Sequence, residues 1–252
     1  MDNSQLSSVI ITGASSGIGR ELALEMARRG YALGLTARRM SLLETLREEI
    51  WAANGKEFPV ELAALDVCQT DSVGPVIREL FTRLGSVRIV VVNAGANDMT
   101  DIGQYSLDKE LNLIHTNLCG AIATVDAAVA CFGKRDGGHI VGISSLASLQ
   151  PIARQAAYCA SKAGFSMYLN AARIELRQKR IRVTNILPGY VATDIVHGVD
   201  IGTLPFAIAA HRAAREISSL IEKQVKTGIV PAFPWKLIRP FLGHLPERLA
   251  RY

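Results

Sequence analysis

The sequence predicts an α/β fold, a doubly wound, mostly parallel seven-stranded sheet with helices on both faces. Three observations carry this prediction. Short apolar runs of strand length alternate with stretches of helical periodicity over most of the chain. Several of these runs are apolar at every position, as strands covered on both faces must be. The chain has 252 residues and no internal repeat or Pro/Ser-rich linker, which suits one domain over residues 1–252.

The elements follow in order. Residues 9–12 read as a buried strand, and Ile18, Leu22 and Met26 then recur every fourth residue, marking one face of a helix. Residues 32–36 form a second strand. Ser41-Leu42-Leu43-Glu44 has the pattern of a capping box, with Leu42, Leu46 and Ile50 as the stripe of the helix it opens. Val60, Leu62 and Ala64 alternate as a third strand. Val73, Val76, Ile77, Leu80, Phe81 and Leu84 then lie at helical spacing. Residues 89–92 are a fourth strand and 107–132 a long helical region. Residues 140–144 and 182–187 are strands flanking a helix over 155–178, and residues 228–230 form the last strand. Right-handed crossovers in such an order favour the doubly wound sheet.

Composition removes several classes. Hydrophobic residues make up 49% of the chain and charged residues 20%, so a large core is available and wholesale disorder is excluded. The net charge is +5, but Arg28, Arg29, Arg38, Arg39 and the basic stretch 177–182 are scattered among acidic residues. No basic stripe with an aromatic platform forms, so nucleic acid is not an expected partner. Most of these arginines read as solvated helix faces. Cys68, Cys119, Cys131 and Cys159 form no CxxC pair or metal-ligand spacing, which points to no metal and to a reduced, cytoplasmic setting. A strand begins almost at the first residue and no run of about 18 apolar residues is present, so neither a signal peptide nor a spanning helix is expected.

Thr12-Gly13-Ala14-Ser15-Ser16-Gly17-Ile18-Gly19 lies between the first strand and the first helix. Glycines there let backbone approach a pyrophosphate, and the opening helix directs N–H groups and its positive dipole end at the anion. Glycine is also an ordinary turn residue. The strand–turn–helix context favours the phosphate-binding role.

The spacing TGxxxGxG resembles that of the short-chain dehydrogenase/reductase family, a Rossmann-type fold. The resemblance extends through Asn93-Ala94-Gly95, Asn117, Ser145, Tyr158 with Lys162, and Pro188-Gly189 followed by Thr193, over about residues 9–230. It implies an NADP(H)-dependent oxidoreductase moving a hydride between a nicotinamide and a carbonyl or alcohol carbon. It implies cofactor contacts at Gly13, Ser15, Ser16, Gly17, Ile18 and Gly19, at Asn93, Ala94 and Gly95, at Tyr158 and Lys162, and at Pro188, Gly189, Val191 and Thr193. Asp66 and Val67 correspond to the adenine-binding position, and Thr193 to the nicotinamide carboxamide contact. At the end of the second strand, Ala37 stands where NAD-preferring relatives carry Asp, and Arg38 and Arg39 follow. A cation there suits a 2′-phosphate, so NADPH is expected over NADH. One departure weakens this: many NADP-binding relatives have a basic residue inside the glycine turn, where this chain has Ser16.

Tyr158 and Lys162 are four residues apart in a helical segment and so share a face. An ammonium near a phenol is expected to lower the phenol's pKa toward neutrality, equipping it as a general acid–base. Ser145 follows the strand over 140–144, at the crevice end of the sheet, where its hydroxyl can stabilise charge on a substrate oxygen. Ser144 competes for that role, and the family spacing favours Ser145. For Asn117 the resemblance implies a kinked helix whose backbone and side chain hold a water against Lys162. Cys159 reads as a packing residue.

Residues 194–224 are expected to form a substrate lid, apolar through Ile195, Val196, Ile201, Leu204, Phe206 and Ile208. With Leu146, Leu149, Ile152 and Tyr190 they suggest an apolar carbonyl compound as substrate. Residues 231–252 depart from tetrameric relatives, which end in a strand with an Asp-Gly-Gly segment between subunits. Here Trp235, Leu237, Ile238, Phe241, Leu242 and Leu245 interleave with Lys236, Arg239, Arg248 and Arg251. Peripheral membrane contact is one role for this tail. The prolines favour covering the substrate mouth or packing on a second subunit of a homodimer or homotetramer. The competing functional reading is a non-catalytic dinucleotide sensor or a membrane-associated interaction protein on the same fold.

Overall fold

All seven expected strands join one sheet in the computed structural model, which describes residues 6–133, 137–193 and 204–241. They are β1 (Ser8–Thr12), β2 (Ala32–Ala37), β3 (Val60–Ala64), β4 (Val87–Val92), β5 (Gly138–Ile143), β6 (Ile181–Pro188) and β9 (Thr227–Val230). Two-residue strands β7 (Val191–Ala192) and β8 (Ile208–Ala209) pair separately. The order in the main sheet is β3-β2-β1-β4-β5-β6-β9, and every pair is parallel. The winding direction reverses between β1 and β4. Such a reversal opens a crevice at the carboxyl ends of the strands, and the functional residues gather there.

Successive strand residues face opposite sides, so each strand feeds two cores. On one side, Val9, Ile11, Leu33 and Leu35 are covered by α1 (Gly17–Arg28), α2 (Met40–Asn54) and α7 (Ala210–Glu222). On the other, Ile10, Val90 and Ile140 are covered by α3 (Thr70–Leu84), α5 (Gly120–Phe132) and α6 (Ala156–Glu175). Phe81 and Phe132 meet edge-to-face there, with centroids 5.2 Å apart.

Several expectations are corrected. The capping box at Ser41 does not form: α2 starts at Met40, Arg39 is its cap residue, and the Ser41 carbonyl accepts a bond from Thr45. Its buried stripe is Leu43, Leu46 and Ile50, while Leu42 is exposed, because the helix phase follows the sheet it covers. Ala64 is exposed at the end of β3. Arg29 is not a solvated charge. It bonds the buried Glu25 and reaches Glu222 of α7 at 2.5 Å, tying two sheet-covering helices together. Residues 210–222, expected within a lid, are instead a core helix whose Ala213, Ala214, Ile217 and Ile221 are buried against α1 and the sheet. Ile195, Val196 and Ile201 lie outside the described residues, as do Leu242, Leu245, Arg248 and Arg251.

The region 107–132 is one continuous helix in three parts: α4 (Leu107–Ile114), a π-turn over His115–Cys119, and α5. By length and mean hydropathy it is long and apolar enough to cross a membrane, contrary to the sequence expectation, yet here it packs against α3 and α6. The chain's last described element is α8 (Trp235–Ile238), followed by a 3-10 turn.

Candidate active site

The crevice is a cleft of about 550 Å³ that runs past the glycine turn, the ends of β2, β4, β5 and β6, and the start of α6. Among its lining residues are Gly13, Ser15, Ser16, Gly17, Ile18, Arg38, Arg39, Asp66, Val67, Asn93, Ala94 and Gly95. Ser145, Tyr158, Lys162, Pro188, Gly189, Val191 and Thr193 line the same cleft. Of the catalytic and cofactor-binding residues named from the sequence, Gly19 and Asn117 are not among them, and of the apolar residues expected at the substrate, Leu149, Phe206 and Ile208 are not.

The glycine turn is held by contacts that require glycine. Gly13 has φ +68°, and a Cβ there would lie 2.7 Å from the Cα of Ala94. Gly19 sits inside α1, where a Cβ would come within 2.4 Å of both Asn93 Nδ2 and the Gly13 carbonyl. Gly19 therefore shapes the turn, and it is not among the residues that line the cleft. Asn93 Nδ2 donates to the carbonyls of Thr12 and Gly13, and the N–H groups of Asn93 and Ala94 donate to Thr12 Oγ1. These bonds lock the end of β4 to the end of β1. Ser16 is the cap residue of α1, but its side chain makes no capping bond, so the first-turn N–H groups have no side-chain acceptor. A phosphate group fits such a helix start.

Arg38 and Arg39 are both exposed at the cleft. Arg39 Nη2 donates to Ser15 Oγ at 3.0 Å and Ser16 Oγ at 2.9 Å. A cation thus stands over the glycine turn after all, supplied by the end of β2. The sequence reading missed this because the contact joins residues 23 and 24 positions apart. Asp66 accepts a bond from the Cys68 N–H, which sets the loop after β3. Thr193 reaches across to the turn, its Cγ2 3.3 Å from where a Gly17 Cβ would lie.

The four residues expected to carry catalysis converge. Tyr158 and Ser145 line the cleft together, and the Ser145 side chain acts to lower the pKa of the Tyr158 phenol. Ser145 Oγ also accepts the Ala147 N–H, which fixes its rotamer at the start of a 3-10 turn. Ser144 is consumed inside the fold: it donates to the Lys162 carbonyl and pairs with Ser166. Lys162, one helical turn from Tyr158, is buried and donates to the Ile143 carbonyl at 3.1 Å, with Nζ 5.8 Å from the Tyr158 ring centroid. Asn117 lies in the π-turn and is 1% exposed. Its Oδ1 accepts the Ala96 N–H, and its Nδ2 donates to the Ala96 carbonyl and to Ser161 Oγ. Its side chain therefore clamps the loop after β4, beside the cleft-lining Gly95.

The electrostatics correct one expectation. Burial pushes the Tyr158 phenol above its ordinary pKa, and the Ser145 side chain works against that shift. Lys162 is not among the causes of the Tyr158 shift, and burial lowers its own pKa to about 8. Cys159 is also pushed up by burial, consistent with a packing role. Leu146, Ile152, Tyr190 and Leu204 give the cleft an apolar section, as expected. Leu149 lies behind it, against Leu146, Leu187 and Ile229. No cluster of metal-ligating side chains occurs among the described residues.

Comparison with known proteins gives concordant matches. Residues 7–202 match the family model described as short chain dehydrogenase. An uncharacterized oxidoreductase of Myxococcus xanthus is 38% identical over 231 residues, covering 92% of this chain and 88% of that protein. A short-chain dehydrogenase from Sphingobium yanoikuyae, solved in complex with NADPH, superposes with TM-score 0.82 at 27% identity, covering 92% of each chain. An alcohol dehydrogenase from Thermococcus sibiricus, complexed with 5-hydroxy-NADP, superposes with TM-score 0.78 at 26% identity, covering 90% of this chain and 95% of the other.

Proposed function

The chain belongs to the short-chain dehydrogenase/reductase family of nicotinamide-dependent oxidoreductases, and on that premise we propose that it reduces an apolar ketone or aldehyde with NADPH, or oxidises the matching alcohol. The observation that carries this reading is one cleft lined by Ser145, Tyr158 and a buried Lys162, whose Nζ lies 5.8 Å from the Tyr158 ring centroid, and that also presents Arg38 and Arg39.

The cradle fits a dinucleotide. The glycine turn leaves room for a pyrophosphate where side chains would collide, and the uncapped start of α1 offers N–H donors. Arg38 and Arg39 supply positive charge for a ribose 2′-phosphate, and the buried Ala37 brings no carboxylate to repel it. Arg39, held over Ser15 and Ser16, takes the place of the basic residue that the turn itself lacks. Asp66 and Val67 would flank the adenine, Val191 and Thr193 the carboxamide, and Lys162 the nicotinamide ribose.

NADPH, when bound, supplies the hydride that attacks the carbonyl carbon. The chain's own residues handle the oxygen. Ser145 donates to it as negative charge develops. Tyr158 gives its phenolic proton to that oxygen, completing the alcohol, and the Ser145 side chain eases the loss of that proton. Asn117 acts indirectly, by holding the Ala96 loop and the π-turn against α6. In the reverse direction Tyr158 removes the alcohol proton.

The inward placement of Trp235 supports a packing role for the tail over membrane contact. The exposed apolar residues Leu107 and Leu111 on α4 and Met167 and Ile174 on α6 support a homodimer through the long helices, which analytical ultracentrifugation tests. The functional reading is tested by following oxidation of NADPH and NADH with a panel of ketones, aldehydes and long-chain 3-oxo compounds. Turnover with NADPH preferred over NADH supports it, and no turnover with any carbonyl refutes it.

A further inference from the structure

We propose that Trp235 is the specificity-determining wall of the substrate compartment, and that it selects carbonyl compounds bearing a flat aromatic ring beside the carbonyl. The proposal rests on the carbonyl-reductase reading above and adds the substrate class to it. Trp235 belongs to none of the motifs shared with the family. Nevertheless its side chain lines the same cleft as Ser145, Tyr158 and Lys162.

Two contacts hold it there, and a third feature marks it as more than filler. First, the indole rests directly on Gly189. A Cβ on that residue would lie 2.8 Å from Trp235 Nε1 and 3.2 Å from Cδ1 and Cε2. Gly189 was expected as a cofactor contact, and in this protein it also makes room for the indole. Second, two aromatic rings flank the indole edge-to-face: Tyr190 at 6.1 Å and 69°, and Phe206 at 5.9 Å and 84°. Phe206 adopts φ +63°, a left-handed conformation that a bulky side chain rarely takes, and stays 51% exposed. Burial does not account for that backbone strain, and the Phe206 ring contacts Trp235. Third, the indole N–H is buried without a hydrogen-bond partner. A side chain kept there only to fill space would carry no donor to leave unsatisfied.

The chemistry of the selection follows from the ring. Leu146, Ile152 and Leu204 line the cleft with aliphatic carbon and reward any apolar group about equally. Trp235 adds a π surface, already part of an edge-to-face cluster, which another aromatic ring can join. Aromatic pairs gain attraction beyond that due to buried area, and a saturated ring of the same size does not.

The test pairs acetophenone with cyclohexyl methyl ketone, which differ in the flatness and π-character of one ring. The chain has two tryptophans, so Trp51→Phe leaves Trp235 as its only indole. In that background, saturated with NADP⁺, acetophenone is expected to change the Trp235 emission at lower concentration than cyclohexyl methyl ketone does. With NADPH, Trp235→Ala is expected to raise KM for acetophenone about tenfold and KM for the saturated ketone less than about threefold, with kcat and NADPH Kd nearly unchanged. Trp235→Leu, which keeps apolar bulk, should show the same loss of aryl preference if the alanine variant folds poorly, and Trp235→Phe should keep most of it. Equal effects on both ketones, a weakened NADPH Kd, or indifference of the Trp235 emission to acetophenone would overturn the proposal. A Trp235 response to acetophenone in the Trp51→Phe background, together with a wild-type protein that reduces no carbonyl, would refute the catalytic reading alone. Turnover without aryl preference would refute the wall alone.

Discussion

Arg39 donates to Ser16 Oγ at 2.9 Å, so the residue that caps α2 also closes over the glycine turn that opens α1. Its guanidinium is exposed in the cleft beside Arg38, and together they form a cationic rim at the end of β2. A 2′-phosphate bound there would gain charge-assisted hydrogen bonds that NADH cannot make.

Arg38→Ala and Arg39→Ala are each expected to raise Kd for NADPH about tenfold and to change Kd for NADH less than about threefold. Cofactor fluorescence titration checks this. Equal weakening of both cofactors would show that the arginines organise the turn rather than read the phosphate.

Gly19→Ala is expected to destabilise the fold itself by more than about 2 kcal/mol, because its Cβ would press on Asn93 and on the backbone of Gly13. Thermal melts without cofactor should show the loss. A variant with unchanged melting and weakened NADPH binding would put Gly19 in the cleft instead.

Asn117→Ala removes the clamp on Ala96 and leaves the N–H and carbonyl of that residue without their side-chain partners. Each orphaned group costs on the order of 1–3 kcal/mol if it stays buried. The expected result is a lower melting temperature and a kcat reduced more than about tenfold, while KM changes little. Stability and kinetics measured on the same preparation separate the two effects.

His139 is a stability switch at the opposite end of β5 from the active site. It is 4% exposed, bonded to Thr184 Oγ1 at 2.8 Å, and its pKa is lowered from 6.5 to about 4, first by burial and then by the Arg182 charge. The unfolded chain binds this proton more readily than the folded one. The stabilisation is therefore complete above pH 6.5 and is lost as the pH falls from 6.5 toward 4. From about pH 7 to about pH 5 this amounts to about 2 kcal/mol. Urea unfolding of wild type and His139→Gln at both pH values should show a smaller difference in the variant. An identical acid dependence would exclude His139 as its source.

The fold was legible because β1, β4 and β5 are short and apolar throughout, and because Leu22 and Met26 or Ile77 and Phe81 repeat at helical spacing. Most of the candidate site residues, named from the family resemblance at strand ends and on one helix face, come together at one cleft. What escaped depends on contacts between distant segments. The phase of α2 is set by the sheet beneath it, so Leu43 rather than Leu42 turns inward. The resemblance implied the irregular helix at Asn117, but the partners of that side chain, Ala96 and Ser161, are remote in sequence. Arg39 over Ser16 and Trp235 over Gly189 depend on loops meeting across the crevice. Nothing in local spacing marks Ala213 and Ile217 as core rather than lid.

The most direct test compares wild type and Tyr158→Phe in NADPH-dependent ketone reduction, with NADPH affinity measured separately. Removing the one phenolic oxygen is expected to lower kcat by about 10³-fold and to leave NADPH Kd nearly unchanged. A Tyr158→Phe protein that reduces the ketone at the wild-type rate would contradict the assignment of Tyr158 as the proton donor, and with it the proposed mechanism.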